Sequence, residues 1–506
     1  MKKYRVKEGV SGVLELTDEQ GRTTVFHPDC DVDKALAMLY EFYDLRTVDG
    51  VKVKDAFVRD GIDWFPTAVS MLCWHFFWKF IKYRPLIEDA LNGDTAFVCV
   101  SARRFSVLLD RICESRASCW SGIRKTVKKI YGRLVRLRNR LVVKRQGDIL
   151  FYRYGTDDFR TNELFQELSA RFRVTQVTGL RLKELLRYFF DPEVYIVTAG
   201  LPGKDFDVNL PEKTSIVYHQ ALSYARDIIN GHYRSYCAHS RLLKKFFYKL
   251  FFGLDDANFV YPILYAAQDA GIRTLALQHG VYMRRHEAYI LKNIERYRWY
   301  DNVLVWGKYW KEVILKHSDL FSEDFHILAG NKHVYDYTVL PKKGSERTIL
   351  VPYEFLADTM SVGKYIRQFM AKGFRIYFKP RSDEPVADQL NAYYLGEDRE
   401  KIRIVEKITP EAMAEIDIIA GTQTTLIFDL LGYQKPVWIL DTPFRLLYDM
   451  VDDGLARLVT YEDMSRIHEI YQEDMARQIS VDPVDINGDR SAAEVIEEYL
   501  TRKEGG

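Results

Sequence analysis

The sequence predicts an α/β protein built from two parallel-sheet domains and a small N-terminal addition. Its 506 residues are too many for one ordinary hydrophobic core. Short apolar segments alternate with helical segments along most of the chain, as in sheets built from β-α-β units. Two apolar segments, Thr274–Leu277 and Ile416–Ile419, stop at polar turns that contain Gly. Open α/β sheets bind ligands beyond such strand ends, so we expect one ligand site between the domains.

Residues 1–60 predict a small α+β region. The pattern predicts a small meander of strands with a helix near Ala35–Tyr43, and Gly21 and Gly50 mark turns. The aromatic segment Trp64–Tyr83 follows, and its apolar runs are interrupted by three ionisable side chains. Spanning a bilayer needs about 20 mostly apolar residues, so the segment predicts a buried helix, with a membrane-surface helix as the alternative.

Residues 61–340 predict the first parallel-sheet domain. The helix predicted over Tyr261–Ala270 ends at Gly271, which is well placed as a C-terminal cap. The predicted strands, with helical segments between them, are Ala96–Val100, Asp148–Tyr152, Glu193–Val197, Thr274–Leu277, Val303–Trp306 and His326–Ala329.

Residues 341–506 predict the second parallel-sheet domain. The linker candidate is Pro341–Glu346, and Ala492–Leu500 predicts a closing helix. The predicted strands are Thr348–Val351, Arg375–Phe378, Ile402–Val405, Ile416–Ile419 and Val437–Leu440.

Composition and the N-terminal residues indicate where the protein is located but not which partners it binds. The 73 Lys and Arg residues nearly balance the 71 Asp and Glu residues, so net charge indicates no partner. None of the six Cys residues forms a CxxC pair, which favours reduced thiols over a zinc site. A secretion signal has an apolar segment after its charged N-terminal residues, and no such segment follows the charged residues here. We therefore expect a cytoplasmic protein.

One segment, Arg124–Arg145, is dense in basic residues and has no acidic residue. It predicts either a solvated helix face or a patch for anionic lipid or a phosphate-bearing acceptor. No nucleic-acid-binding motif accompanies it, so nucleic acid is not expected as a partner.

The usual short signatures of several enzyme classes are absent. The chain has no GxGxxG, GxxxxGK[ST], HExxH or GxSxG motif. Their absence removes the common signatures of dinucleotide binding, P-loop phosphoryl transfer, zinc proteolysis and α/β-hydrolase chemistry. We predict no metal ligands.

The turn Gln278-His279-Gly280 predicts a catalytic position at the first strand end. His279 can accept a proton near neutral pH, and Gly280 lets the main chain approach a ligand closely. The alternative is a histidine buried in the core for packing.

Residues at three strand ends of the second domain predict a phosphate site. The main-chain N–H groups that begin a helix after Thr425 would bind the phosphate, and Lys379 and Arg381 would neutralise it. The alternative is that Thr424 or Thr425 only caps the helix. The donor-site candidates are Glu354, Lys379, Arg381, Thr422, Gln423, Thr424, Thr425 and Asp429.

These motifs resemble those of GT-B glycosyltransferases of bacterial surface-polysaccharide synthesis. The chain is particularly similar to capsule sialic-acid and Kdo transferases and to teichoic-acid glycerophosphate transferases. Gln278-His279-Gly280 resembles the Trp-His-Gly motif of the last group, and Gly421–Asp429 resembles its Ser-Asp-x-Ser-Ser-x-x-Phe-Asp segment. Lys435-Pro436 and Ala329-Gly330-Asn331 also look like parts of such transferases. The resemblance covers residues 260–445.

The resemblance implies a GT-B fold, with two Rossmann-like domains facing each other across a cleft. The second domain would hold a nucleotide-activated sugar, with CMP or CDP favoured as the nucleotide, and the first a growing glycan or lipid-linked acceptor. His279 would be the catalytic base, Gln278, Gly280 and Asn331 would line the acceptor side, and neither a metal nor a cofactor would be required. Such an enzyme could work at the inner face of the membrane. One departure is Lys379-Pro380-Arg381, where the family has His-Pro.

Three alternatives remain at the sequence level. They are a CDP-polyol phosphotransferase, a nucleotide-sugar epimerase and a non-catalytic scaffold for glycan assembly. The sequence specifies neither the sugar, the linkage and its stereochemistry, the acceptor, the oligomeric state nor the role of residues 1–60.

Overall fold

A computed structural model gives the architecture of the chain. The residues that it describes are 2–8, 13–100, 105, 108–109, 121–155, 158, 160–179, 182–198, 205–255, 259–285, 287, 291, 293–318, 320–330, 336–342, 344–354, 358–382, 384–477 and 481–501.

The N-terminal region contains a four-stranded sheet in the order β3-β2-β1-β6. Strands β1 (Lys2–Glu8), β2 (Leu14–Asp18) and β3 (Thr23–Phe26) form the predicted antiparallel meander. Strand β6 (Thr95–Cys99) pairs in parallel with β1. The assignment of Ala96–Val100 to the first large sheet was therefore wrong, because a short apolar run does not reveal which sheet it joins.

The aromatic segment of this region is helical and buried, as predicted. Phe65, Phe76 and Phe77 have no solvent exposure. Within the described part of the chain, no helix combines the length and the apolarity needed to cross a membrane. The helices here are Val32–Asp44, Pro66–Leu72, a π-helical turn over Cys73–Phe77, and Trp78–Leu91; a short hairpin joins β4 (Val58–Arg59) to β5 (Ile62–Asp63).

The first large sheet is wholly parallel, with the order β13-β12-β11-β10-β7-β8-β9. Its strands are β7 (Ile149–Arg153), β8 (Val174–Thr178), β9 (Val194–Ile196), β10 (Leu250–Leu254), β11 (Arg273–Leu277), β12 (Asn302–Val305) and β13 (His326–Leu328). Sequence analysis missed β8 and β10. Only residues 244–249 separate β10 from a long helix, and they contain no Gly, Pro, Asn or Asp that would signal a turn.

The second large sheet is also parallel, with the order β16-β15-β14-β17-β18-β19. Its strands are β14 (Thr348–Pro352), β15 (Arg375–Lys379), β16 (Ile402–Ile404), β17 (Ile418–Gly421), β18 (Val437–Leu440) and β19 (Arg457–Val459). The last of these strands was not predicted.

Helices cover the sheets. Those of the first half are Ser121–Val142, Asn162–Arg171, Leu182–Tyr188, Ile216–Leu243, Tyr261–Asp269 and Lys308–His317. Those of the second half are Thr359–Ala371, Val386–Ala392, Pro410–Ala414, Leu426–Asp429, Tyr448–Asp452, Ile467–Ala476, Pro483–Asn487 and Ala492–Thr501. Gly271 ends its helix with φ of +75°, as its predicted capping role requires.

The carboxyl ends of the two large sheets face each other. Helix Leu426–Asp429 follows the carboxyl end of β17, and helix Lys308–His317 follows that of β12. Phe428 of the former packs on Trp310 of the latter, with ring centroids 4.7 Å apart. Both sets of strand ends therefore open toward the junction of the halves.

The C-terminal helices return to the first half. Arg273 of β11 donates a hydrogen bond to the carbonyl of Tyr499, and Trp310 donates one to the carbonyl of Ile486. Gly330 lies so close to this segment that an added Cβ would stand 1.9 Å from a main-chain oxygen. The first half is thus completed by residues from the far end of the chain.

Candidate active site

The predicted base and an unpredicted carboxylate lie on neighbouring strands. Asp255 follows β10 directly and His279 stands two residues beyond β11, while Leu254 and Leu277 are paired in register. Because both strands run in parallel, their side chains emerge together at the carboxyl edge of the first large sheet.

Asp255 holds His279 at two points. Its Oδ1 accepts the His279 main-chain N–H at 3.1 Å and lies 3.2 Å from Nδ1 of the ring. The Asp255 side chain is 1% exposed and that of His279 is 21% exposed. The carboxylate favours the tautomer with a proton on Nδ1, so Nε2 is the nitrogen suited to accept a proton.

A tyrosine and a glutamine fix the same turn. The Tyr282 hydroxyl donates to Oδ2 of Asp255 at 2.5 Å, and burial together with contact with that carboxylate keeps the pKa of Tyr282 well above its usual value. Gln278 is fully buried, donates to the carbonyl of Gly280 at 2.8 Å and accepts the Trp306 N–H at 3.0 Å. Gln278 therefore supports the turn from within, whereas we had expected it to line the acceptor side.

The other two residues predicted for the acceptor side are Gly280 and Asn331. Gly280 lies in the turn beside His279 and is buried. Asn331 lies outside the described residues.

Glu354 fills the turn that we had expected to bind phosphate. Its carboxylate accepts the main-chain N–H groups of Thr422, Gln423 and Thr424 at 2.7–2.9 Å and the Thr422 hydroxyl at 2.7 Å. It is 1% exposed, and burial raises its pKa against the lowering effect of these hydrogen bonds. A donor phosphate cannot use these three N–H groups while Glu354 holds them. The turn does bind an anion, as expected, but that anion is the protein's own carboxylate.

The rest of this turn combines capping with an unsatisfied acceptor. The Thr424 hydroxyl accepts the Leu426 N–H at 3.3 Å, as the capping alternative predicted, and Thr425 immediately precedes the helix. The side-chain oxygen of Gln423 is buried and has no hydrogen-bond partner in the described part of the chain. Asp429 is buried, and its carbonyl accepts the Tyr337 hydroxyl at 2.7 Å.

The two predicted cations lie at the end of β15, next to β14. Lys379 donates to the carbonyl of Pro380 at 2.8 Å, and burial lowers its pKa. Gln389 anchors the Arg381 main chain by accepting its N–H at 2.9 Å and donating to its carbonyl at 2.8 Å. Glu354 stands two residues beyond β14 beside them, so the structure brings the predicted cations and the turn to one sheet edge.

The basic segment is helical in part and does not present all its cations to solvent. Arg138 is 2% exposed and donates to main-chain carbonyls of Tyr188 and Phe189, which corrects its assignment to a surface patch. The side chains of residues 121–129, and so of Arg124, Lys125, Lys128 and Lys129, lie outside those described.

Comparisons with known proteins give only remote similarities, with TM-scores below 0.5. No family model matches the sequence, and no curated protein matches it. The calicheamicin glycosyltransferase CalG4 is 13% identical over 72% of this chain and 100% of its own, with a TM-score of 0.42. UDP-GlcNAc 2-epimerase from Neisseria meningitidis is 15% identical over 70% and 100%, with a TM-score of 0.40. The lipopolysaccharide outer core galactosyltransferase WaaB is 13% identical over 66% and 96%, with a TM-score of 0.36.

The chain's own topology confirms the predicted fold class. Two parallel Rossmann-like sheets meet at their carboxyl ends, the last helix returns to the first half, and an α+β region precedes them. This is the GT-B architecture. A fold does not determine a reaction, so the chemistry must be argued from the residues themselves.

Proposed function

We propose that this protein is a glycosyltransferase that moves a sugar from a nucleotide-activated donor to a surface glycan or lipid-linked acceptor. The observation that carries the proposal is the Asp255–His279 pair at the carboxyl edge of the first sheet. A buried carboxylate that orients an imidazole is the arrangement of a general base.

In the proposed reaction, Nε2 of His279 takes the proton of an acceptor hydroxyl. The hydroxyl oxygen forms a bond to the anomeric carbon of the sugar while the bond from that carbon to the donor phosphate oxygen breaks. The nucleotide leaves with both electrons of the broken bond and carries the developing negative charge. Asp255 keeps the ring oriented and stabilises the imidazolium that results.

Lys379 and Arg381 support the donor half of the proposal. Both lie at the strand ends that open toward the junction of the halves, where a departing phosphate would need positive charge. We assign the Thr422–Thr424 main chain to Glu354 rather than to the phosphate.

The test begins with thermal melting of the full chain in the presence of CMP, CDP, UDP or GDP. The nucleotide that raises the melting temperature defines the donor series, which is then supplied with candidate lipid-linked and soluble glycans. We expect nucleotide release that depends on the acceptor and a product with a glycosidic bond. Release of a phosphodiester product would instead indicate polyol phosphate transfer, and a new sugar epimer without acceptor would indicate an epimerase. No turnover with any donor, and full biological function after His279→Ala, would indicate a scaffold.

A further inference from the structure

Helix Ser121–Val142 is attached to the first half through buried polar side chains. Arg138 and Asn139 form this attachment at the edge strand β9. The Arg138 guanidinium donates to four main-chain carbonyls between residues 188 and 194. Asn139 donates to the carbonyl of Ile196 at 2.8 Å and accepts its N–H at 3.2 Å, which satisfies the exposed edge of the sheet.

A different face of the same helix is apolar and exposed. Ile130, Leu134, Leu137 and Leu141 are 55%, 48%, 55% and 72% exposed. Their spacing of four, three and four residues places them on one line along the helix, here called the apolar stripe. Helices on soluble proteins normally bury such a line, whereas this helix exposes it and buries Arg138 and Asn139 instead.

The segment that Arg138 holds adds two more exposed apolar side chains. Leu186 and Phe190 are each 80% exposed, although neighbouring Tyr188 and Phe189 pack against the small core beneath the helix. Exposed apolar side chains that occur singly are ordinary, but a continuous apolar line along a helix marks an interaction surface.

The charge around the stripe indicates the partner. The helix contains eight Lys and Arg residues and no Asp or Glu. Exposed Arg133 and Arg140 border the stripe on one side. Cations beside a line of leucines are typical of helices that lie in the interface of an anionic bilayer.

The direction of the helix carries the N-terminal part of the stripe beyond the same sheet edge at which the candidate active site lies, with three strands between β9 and β11. Lys144 is hydrogen-bonded to Pro192 before β9, whereas Asn139 reaches Ile196 at its end, so the helix runs antiparallel to the strand. The 18 residues from 139 back to 121 therefore extend past the carboxyl end of β9 by about 27 Å, at 1.5 Å per residue. His279 lies at the carboxyl edge of the same sheet.

We propose that the apolar stripe and its flanking cations form a membrane-docking face, with the leucines inserted among the head groups of an anionic bilayer. The inference goes beyond the proposed function and does not depend on it. A lipid-linked acceptor would reach the candidate site from such a bilayer.

The experiment is co-sedimentation of the full-length protein with phosphatidylglycerol-containing vesicles at 0.1 M and 1 M salt. We expect wild type to bind at low salt and to retain part of its binding at 1 M, because the Debye length falls to about 3 Å but apolar insertion persists. The variant L134Q/L137Q/L141Q should bind at least about tenfold more weakly at both salts. The variant R133Q/R140Q should bind about tenfold more weakly at 0.1 M and like wild type at 1 M.

Matched controls and a second readout keep the test decisive. M475Q/V484Q replaces two similarly exposed apolar side chains elsewhere and should bind like wild type. Circular dichroism and melting temperature should be unchanged in every variant, and turnover of a soluble acceptor, where measurable, should also be unchanged. Three results would overturn the proposal: no vesicle binding by wild type, complete loss of its binding at 1 M salt, or a dimer in solution that only the leucine variant dissociates.

Discussion

Two turns, one in each half, are held by the same kind of hydrogen bonding, but the two carboxylates that hold them have different partners. In each, a buried carboxylate at the end of one strand accepts main-chain N–H groups from the turn after the neighbouring strand. Asp255 after β10 serves the His279 turn after β11, and Glu354 after β14 serves the Thr422–Thr424 turn after β17. The same solution to unsatisfied N–H groups thus occurs on both sides of the junction.

The partners of each carboxylate distinguish the two turns. Asp255 accepts one main-chain N–H and also contacts the imidazole of His279 and the hydroxyl of Tyr282, so it can influence a proton transfer. Glu354 accepts three N–H groups and a hydroxyl and contacts no titratable side chain within this turn. The comparison teaches that a carboxylate at a strand end becomes catalytic support only through the side chain that it orients.

The largest expected effect comes from removing the ring that defines the first turn. His279→Ala should lower kcat/KM by about 10²–10⁴-fold, the usual contribution of a general base. Because the ring is partly exposed, the melting temperature should stay nearly unchanged. Steady-state kinetics and calorimetry measure the two quantities, and exposed His27→Ala serves as the control. Wild-type turnover by the variant would remove His279 from the mechanism, and unfolding would indicate a packing role.

The second turn should respond in stability instead. Glu354→Ala leaves three main-chain N–H groups and a hydroxyl without their acceptor, at a cost of about 2–4 kcal/mol in the free energy of unfolding. Urea denaturation of the variant measures it. A stability equal to wild type would mean that water or another group replaces the carboxylate, and the parallel between the turns would fail.

Arg381→Ala tests whether the cations at the end of β15 bind the phosphate of the nucleotide donor. Loss of a charged hydrogen bond to phosphate should weaken nucleotide binding by about 1.5–3 kcal/mol, roughly 10–100-fold in Kd. Isothermal titration calorimetry measures the change. Arg375→Ala is the matched control, because Arg375 lies exposed at the opposite end of the same strand. Equal affinity in Arg381→Ala and wild type would place the phosphate elsewhere.

Asp255→Asn separates orientation from substrate contact. An amide can accept the His279 N–H groups but cannot stabilise an imidazolium as a carboxylate does, so kcat should fall about 10–100-fold. KM for the donor should stay unchanged, since Asp255 is buried behind the ring. A parallel rise in KM with kcat unchanged would assign Asp255 to substrate binding.

The smallest expected effect is a change in pH dependence. Burial raises the pKa of Glu354 above 4.5, so the folded chain keeps this proton to higher pH than the unfolded chain. Stability from this group is therefore present below pH 4.5 and is lost as pH rises through the folded pKa. In Glu354→Gln that loss should disappear, which denaturation at several pH values detects. An identical pH dependence in variant and wild type would show that another group causes it.

Functional residues that follow a recognisable strand end could be predicted from the sequence. Contacts that depend on which strands lie side by side could not. His279 was identifiable because a short apolar strand stops at a Gln-His-Gly turn. Asp255 was not, because no turn residue marks the start of β10 and the partnership requires knowing that β10 lies beside β11. Glu354 was identified as a site residue, but its occupation of the neighbouring turn follows from the pairing of β14 with β17. Arg138 shows the same limit, since a basic helix does not reveal which of its cations enters the interior.

The returning C-terminal helix affects how the protein must be synthesised. Helix Ala492–Thr501 packs on strands and helices of the first half, and Arg171 pairs there with Glu497. A ribosome therefore completes and releases the whole second half before the first half can bury its last apolar surface. During translation that surface stays open to chaperones and to self-association, and a nascent chain stalled before residue 483 should carry an exposed patch at the first sheet.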